Sequence, residues 1–376
     1  MGKKSNIKFS ALGTLEGCRR FLLSCHGYPS KGVMSAGVPC NVEDPTADVT
    51  HGDVIHPCVK YIKEGFEGHQ WWMVYTPFYA ENDKLENPRL CYADAAEGDL
   101  PTEWKFYCVI ADAPKAGYNS DPTMLFHNGQ LYVYWREYET LRAKEKGFTR
   151  LTYGCRIHEG QITYFPEPQL TEDSEIGDKE CCSTVIAINE AFKAYAVHTD
   201  FYPSYIFRLP SSVGGKLYDY KVVFLLDALG ISSINKCHGV AIWDSESLEQ
   251  PFRYIKTVPF ENSPRLYQPW HMEVFEDSVN ADKALYAVVL SRQRHGRICL
   301  AKSLDGETFR FYDKPLLTSK NTDSIGLYKP SAVQVGNKFH LFYTIHDNKD
   351  YNLHRLFVTT ADWNELLCKI DNPQLR

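Results

Sequence analysis

The sequence of 376 residues has no apolar run approaching the roughly 18 residues a membrane-spanning helix needs, which excludes a helical membrane protein. It has no basic block longer than a few residues. With a formal net charge of -6 it lacks the positive field that phosphate binding demands, which excludes a nucleic-acid partner. Its 12 cysteines show no CxxC and none of the paired short spacings of a zinc site, so free thiols buried as small apolar side chains in a reducing compartment are expected. The opening MGKKSNIKFSALG has two lysines with no apolar core behind them, so no secretory signal is expected. Asn6 stands where a myristoylation motif wants Ser or Thr. The expected location is the cytoplasm or a virion. Helical patterning is thin, and no Gly/Ser-rich linker separates two domains.

What the sequence does have is aromatic strand material: 24 Tyr, 20 Phe and 7 Trp, or 14% aromatic, a composition that favours strands. Residues 51 to 92 give the unit. A strand VIHPCVKYI is followed by a turn and by WWMVYT, where Trp71, Met73 and Tyr75 alternate with Trp72, Val74 and Thr76 as a strand with two distinct faces requires. An ENP corner and a third short run complete an antiparallel meander.

The same pattern returns in DPTMLFHNGQLYVYWRE, with an Asn128-Gly129 hairpin signal, in CSTVIAINEAFKAYAVHTD, in PWHMEVFEDSVNADKALYAVVLS, and in KPSAVQVGNKFHLFYTIHD with Gly336-Asn337 at the turn. The openings at His56, Asp121, Cys182, Trp270 and Lys329 lie 65, 61, 88 and 59 residues apart, a spacing that suits four-stranded blades with loops. A second repeat, SLDGETFRFY, puts an Asp-Gly turn before an outer strand. Looser versions stand at ADAAEGDLPTEWKFY, WDSESLEQPFRYI and TTADWNEL. The expectation is one all-β domain, a five-bladed β-propeller over residues 51–376. Residues 1–50, with strand candidates at 7–12 and 20–25, would be a closure segment packed on it.

In a propeller the innermost strands start near the axis, so residues at the blade openings converge from distant parts of the chain. Those residues here are Asp53 and His56, Asp121, Glu180, His271 and Glu273, and Tyr328 and Lys329.

The five units, with their Asp-Pro opening, NGQLYVYW hairpin and SxDGxxF turn, resemble the five-bladed propeller glycoside hydrolases of the arabinanase and β-xylosidase type. More narrowly, HGDVIHP, WWMVYTPF, ENPRL, YNSDPTMLF, LYVYWRE and PWHME are similar to a glycosidase-like branch met in gut bacteria and their phages. The resemblance covers roughly residues 50 to 365. It implies three acidic residues: a base in the first blade, for which Asp53 is the candidate although His56 occupies the opening itself; an orienting carboxylate in the second, Asp121; and a general acid in the third, Glu180, with Glu273 as the substitute. Where the family has Gly-Pro after the acid, this chain has Cys181-Cys182.

Independently of any family, glycoside hydrolysis needs one carboxyl kept protonated and another kept ionised. Each candidate also has a plainer reading. An Asp before Pro caps a turn, Asp53 could hold the crossover by accepting backbone amides, and Glu180 lies in the polar run TEDSEIGDKE. Arg136 either clamps a sugar carboxylate or pairs with Glu137 or Glu139. Trp270 could stack on a sugar, whereas Trp71 and Trp72 are expected between blades. Glu86 and Asn87, at the ENP corner, complete the candidate substrate contacts with His56, His271, Tyr328 and Lys329. No cofactor is expected, although a structural metal at the pore, with His56 and His271 as ligands, is left open.

The expected function is hydrolysis of an arabinose-, xylose- or galactose-type glycan. The rival is a non-catalytic carbohydrate-binding propeller, for instance a phage virion component recognising surface glycan, with assembly into an oligomer or virion left open. A protein-interaction scaffold is the third reading, and it predicts pore-mouth carboxylates that are paired with Lys or Arg and leave no open pocket.

Overall fold

The computed structural model describes residues 31–46, 53–95, 98–139, 141, 150–171, 183–188, 191–200, 236–263, 269–280, 283–291, 296–322, 324, 326–347 and 353–371. Glu180, the strand candidates at 7–12 and 20–25, and residues Asn189 and Glu190, where the third repeat CSTVIAINEAFKAYAVHTD is expected to turn, lie outside them.

Among the described residues two short strands come first, β1 (Val38–Pro39) and β2 (Asn41–Glu43). The first blade is β3 (Ile55–Phe66), β4 (His69–Thr76), β5 (Arg89–Ala93) and β6 (Glu103–Val109). The second is β7 (Gly117–His127), β8 (Gln130–Glu139), β9 (Arg150–His158) and β10 (Gln161–Tyr164), with β11 (Leu170–Thr171) also on β9. The third is β12 (Ser183–Ile188), β13 (Ala191–Asp200), β14 (Lys236–Ser245) and β15 (Arg253–Val258). The fourth is β16 (Pro269–Glu276), β17 (Leu285–Ser291), β18 (Arg297–Ser303) and β19 (Arg310–Phe311), with β20 (Leu317–Thr318) on β18. The fifth is β21 (Leu327–Val335), β22 (Lys338–His346) and β23 (His354–Asp362), and its outer strand is β1. The result is five sheets, antiparallel except where β2 joins β6, in one compact unit formed by residues 31–201 and 235–376.

The innermost strands close a ring: β3 meets β7, β7 meets β12, β12 meets β16, β16 meets β21, and β21 meets β3. Five apolar clusters fill the seams, one between each pair of neighbouring blades. The alternation along β4 explains how. Trp71, Met73 and Tyr75 enter the seam with the fifth blade beside Val333 and Phe342, whereas Trp72 and Val74 enter the seam with the second beside Met124 and Val133. Each blade is thus apolar on both faces, as a sheet packed on both sides must be.

The hairpin at Asn128-Gly129 has both residues at positive φ (50° and 76°), the two-residue turn whose twist matches the strands it joins. The segment TTADWNEL departs from the outer-strand pattern: after Asp362 the chain forms helix α1 (Trp363–Ile370). Asp362 caps it by accepting from the Glu365 N–H, and Trp363, Leu366 and Ile370 are its buried face. An N-cap aspartate followed by apolar residues at helical spacing overrides the resemblance to a turn and strand.

A clasp joins the outer edges of the ring. Val33 and Met34 N–H donate to Pro315 and Leu316 carbonyls of the fourth blade, β1 pairs with β23 of the fifth, and β2 runs parallel to β6 of the first. Gly37 is required here, because a Cβ would lie 2.1 Å from the Val358 carbonyl oxygen. The described cysteines are free thiols, and no described helix is long and apolar enough to cross a membrane.

Candidate functional site

The site is built by an interruption repeated in the innermost strands. Pro57, Pro122 and Pro330 have no N–H for the ladder, and in β3, β7 and β21 the register shifts there, between Ile55 and Cys58, Ser120 and Thr123, and Leu327 and Pro330. β16 shifts at the corresponding point, between Pro269 and His271. A bulge re-aims the side chain beside it. His56 and Asp121 pay for this with left-handed backbones, φ 53° and 48°, a conformation costing roughly 1–2 kcal/mol for a residue with a Cβ.

The re-aimed side chains meet. Asp121 Oδ1 lies 3.4 Å from His56 Nε2 and 3.3 Å from His271 Nδ1, joining the first, second and fourth blades. Its other oxygen lies 2.5 Å from the Arg136 guanidinium, which reaches across from β8 and also donates to Ser120 Oγ. All three members of the cluster are at most 3% exposed. On its far side His56 Nδ1 lies 3.1 Å from Thr76 Oγ1 and 3.4 Å from Glu86 Oε1. Tyr328 and Trp270, both half-buried, close over the imidazoles: the Tyr328 ring is 5.2 Å from each, and Trp270 is 4.2 Å from His271.

Burial alone would raise the Asp121 carboxyl, but Arg136, His56 and His271 outweigh it and hold the acid well below the usual carboxylate range. For His56, burial is the largest influence and lowers it well below the ordinary imidazole value, with His271, Lys329 and Arg136 acting in the same direction against Asp121. Near pH 7 the pair is therefore a carboxylate facing a neutral imidazole. Such a group can hold and polarise a water. His56, Asp121 and His271 are also a set of donors that could hold a metal ion, with one atom from each lying within 4.8 Å of the others.

The other candidate residues fall into place around this centre. Asp53, 3% exposed, accepts from two backbone amides, Phe78 N–H to Oδ2 at 2.5 Å and His354 N–H to Oδ1 at 2.6 Å, and so ties the first blade to the fifth. Glu273 lies one layer down the pore, two residues past His271 on the same face, with Lys60 Nζ 2.7 Å from its Oε1. Burial would lower that ammonium, but Glu273 more than offsets it and raises it. Lys329, 1% exposed, donates to the Pro122 carbonyl at 3.0 Å, bracing the fifth blade against the second beneath Asp121. Asn87 Oδ1 is 3.4 Å from the Asn119 amide, beside the cluster.

Sequence reasoning overlooked Thr76, Cys58, Lys60, Thr123, Ser331 and His354. Four of these carried a signal. Cys58 and Lys60 follow His56 at two and four residues, Thr123 follows Asp121 at two, and Ser331 follows Lys329 at two, so strand alternation puts them on the pore face below the openings. They do line it: Cys58 Sγ lies 3.7 Å from Thr123 Oγ1 and 3.6 Å from Glu273, and Ser331 Oγ accepts from the Val59 N–H. Thr76 and His354 approach from second and third strands and had no such signal.

No protein-family model matches the chain, and no curated protein does. Solved structures do. An N-acetylgalactosamine deacetylase from F. plautii, in complex with blood group B trisaccharide, is similar over 90% of this chain and 97% of its own, at 15% identity and a TM-score of 0.60. CoXyl43, a GH43 β-xylosidase/α-arabinofuranosidase from a compost microbial metagenome, in a calcium-free complex with xylotriose, is similar over 88% and 94%, at 14% identity and 0.55. A GH43_1 enzyme from Xanthomonas citri is similar over 87% and 91%, at 13% identity and 0.54. The likeness is one of fold: this chain is a five-bladed propeller with the architecture of the GH43 glycosidases.

Proposed function

We propose that the protein is a hydrolase acting on a glycan of the arabinose, xylose or galactose type, with its reaction centre at the pore mouth. The observation that carries this is the convergence of His56, Asp121 and His271 from three blades on one buried point under the half-buried rings of Trp270 and Tyr328. In this reading the ionised Asp121 and the two imidazoles hold the attacking water, Arg136 fixes the carboxylate, and Glu86, Asn87, Trp270 and Tyr328 border the sugar. Glu180, ahead of the third blade, supplies the acid, and Asp53 positions the first blade through its amide bonds.

One observation favours a second reaction class on the same substrates. Imidazoles, not a second carboxylate, flank Asp121, an arrangement suited to attack on an acyl substituent as well as on a glycosidic carbon. The deacetylase fold neighbour fits this reading. The experiment is a panel of aryl glycosides, plant and microbial polysaccharides and acetylated sugars, scored for released sugar and released acetate, with Asp121→Asn as the control. Product that Asp121→Asn forms at the wild-type rate would refute the assignment. Retention of glycan without product would instead make this a binding propeller, the role expected of a virion component.

A further inference from the structure

We propose that His56 Nε2, Asp121 Oδ1 and His271 Nδ1 are the protein ligands of a divalent transition-metal ion, zinc being the best fit, with an open position for water or a substrate oxygen. The inference deepens the proposed function, since it rests on the same site, but metal binding itself requires no turnover.

The separations carry it. At 3.3 Å and 3.4 Å the contacts from Asp121 Oδ1 to the two imidazole nitrogens are longer than the roughly 2.7–3.2 Å of a good hydrogen bond. They match the spacing of donors around a tetrahedral zinc, where bonds of about 2.0–2.2 Å put neighbouring ligand atoms roughly 3.3–3.4 Å apart. The set closes within 4.8 Å, so small side-chain rotations bring the two nitrogens to a common centre.

The donors also suit the ion. Two imidazoles and one carboxylate form a borderline-soft N₂O set, matched to zinc and its neighbours rather than to calcium or magnesium, which take oxygen. Three protein ligands leave the fourth position of a catalytic centre vacant, whereas a structural zinc has four.

The surroundings are those of a metal site. A ligating imidazole is normally fixed through its other nitrogen. His56 Nδ1 faces Thr76 Oγ1 at 3.1 Å and Glu86 Oε1 at 3.4 Å. A ligating carboxylate is normally held through its second oxygen, and Asp121 Oδ2 is held by Arg136. The strained backbones of His56 and Asp121 aim both donors inward, and the pore-deep pair Lys60 and Glu273 balances itself without drawing on the cluster. Charge does not forbid occupancy: Asp121, Glu86 and a hydroxide on the ion carry three negative charges against the four positive charges of the ion, Arg136 and Lys329, which leaves the site within one charge of neutral.

The test uses chelator-treated, dialysed full-length protein. Titration with Zn²⁺ by calorimetry is expected to show one equivalent bound, with a rise in Tm. Co²⁺ is expected to give the intense visible absorption of a low-coordinate N/O site, displaced by Zn²⁺. His271→Ala and Asp121→Asn should each weaken binding by about 100-fold or more, and Glu86→Gln, which leaves all three ligands in place, by roughly 10- to 100-fold. Cys58→Ser should leave binding unchanged. Less than a tenth of an equivalent bound, binding of Ca²⁺ alone, or Zn²⁺ binding that His271→Ala does not weaken in protein of native circular dichroism would overturn the site. The two proposals separate cleanly: full activity in metal-free protein refutes the metal and keeps the hydrolase, whereas stoichiometric zinc in a protein inert on every glycan does the reverse.

Discussion

Two buried aspartates show how the pore mouth differs from the rest of the ring. Asp277, between the fourth and fifth blades, is 2% exposed and wholly engaged by neutral donors: the N–H groups of Val279 and Asn280, the side chains of Asn280 and Gln334, and the Trp363 indole. Asp121 is equally buried, yet it faces a guanidinium and two imidazoles brought from three different strands. The first arrangement satisfies a charge with groups that cannot change protonation near neutral pH, which suits a joint. The second surrounds a charge with a fixed cation and two imidazoles, side chains of the kind that can change protonation near neutral pH. Asp53 stands between the two: it accepts from two backbone amides, as Asp277 does, and its Oδ1 also lies 3.4 Å from His354 Nδ1.

The comparison breaks most sharply through Asp121→Asn, which should lower hydrolysis by about 1,000-fold while the far-ultraviolet circular dichroism stays native. Equal activity would place Asp121 among the joints. Next in size is Trp363→Ala, which empties the seam beside Phe339, Phe275 and Tyr286. It should cost about 3–5 kcal/mol in urea unfolding and leave zinc affinity unchanged. Asp277→Asn sharpens the contrast through pH. Burial would raise this acid, but Asn280, Trp363 and the amides lower it to about 2. A carboxyl lowered on folding stabilises above its unfolded value near 4, and that stability is lost as pH falls from about 4 through about 2. The variant should therefore be about 1–2 kcal/mol less stable at pH 7, after allowance for solvent screening, and should lose less stability than wild type between pH 4 and pH 2. Smallest is Gly129→Ala at φ 76°, expected to cost about 1 kcal/mol in Tm or urea measurements with no effect at the pore mouth.

Much of the ring was legible because repetition and alternation are local. The blade openings, the Asn128-Gly129 turn and the opposed Trp71 and Trp72 all follow from residues close in sequence, and strand sterics make such neighbours predictable. The site was legible in part for the same reason: Asp121 and His56 precede prolines, and His271 stands at the corresponding bulge. What sequence could not supply was partnership. Arg136 faces Asp121 rather than the solvent, Lys60 finds Glu273 across 213 residues, and the Asp53 carboxylate is taken by the His354 amide across 301. Such pairs exist only once the ring has closed, so no local rule encodes them. The helix after Asp362 was misread because Thr-Ala-Asp-Trp matches a turn before an aromatic strand as well as it matches a cap before an amphipathic turn.

The clasp of residues 33–43 bears on the order in which the molecule is made. A ribosome delivers β1 before any blade and β23 after all the others, so the outer strand of the fifth blade must wait for nearly the whole chain before it has a partner. His56 and Asp121 are synthesised long before His271, so the three can come to a common point only after the fourth blade has been made. The assembled pore mouth is therefore a late product of synthesis, which no partial chain ending before the fourth blade can hold.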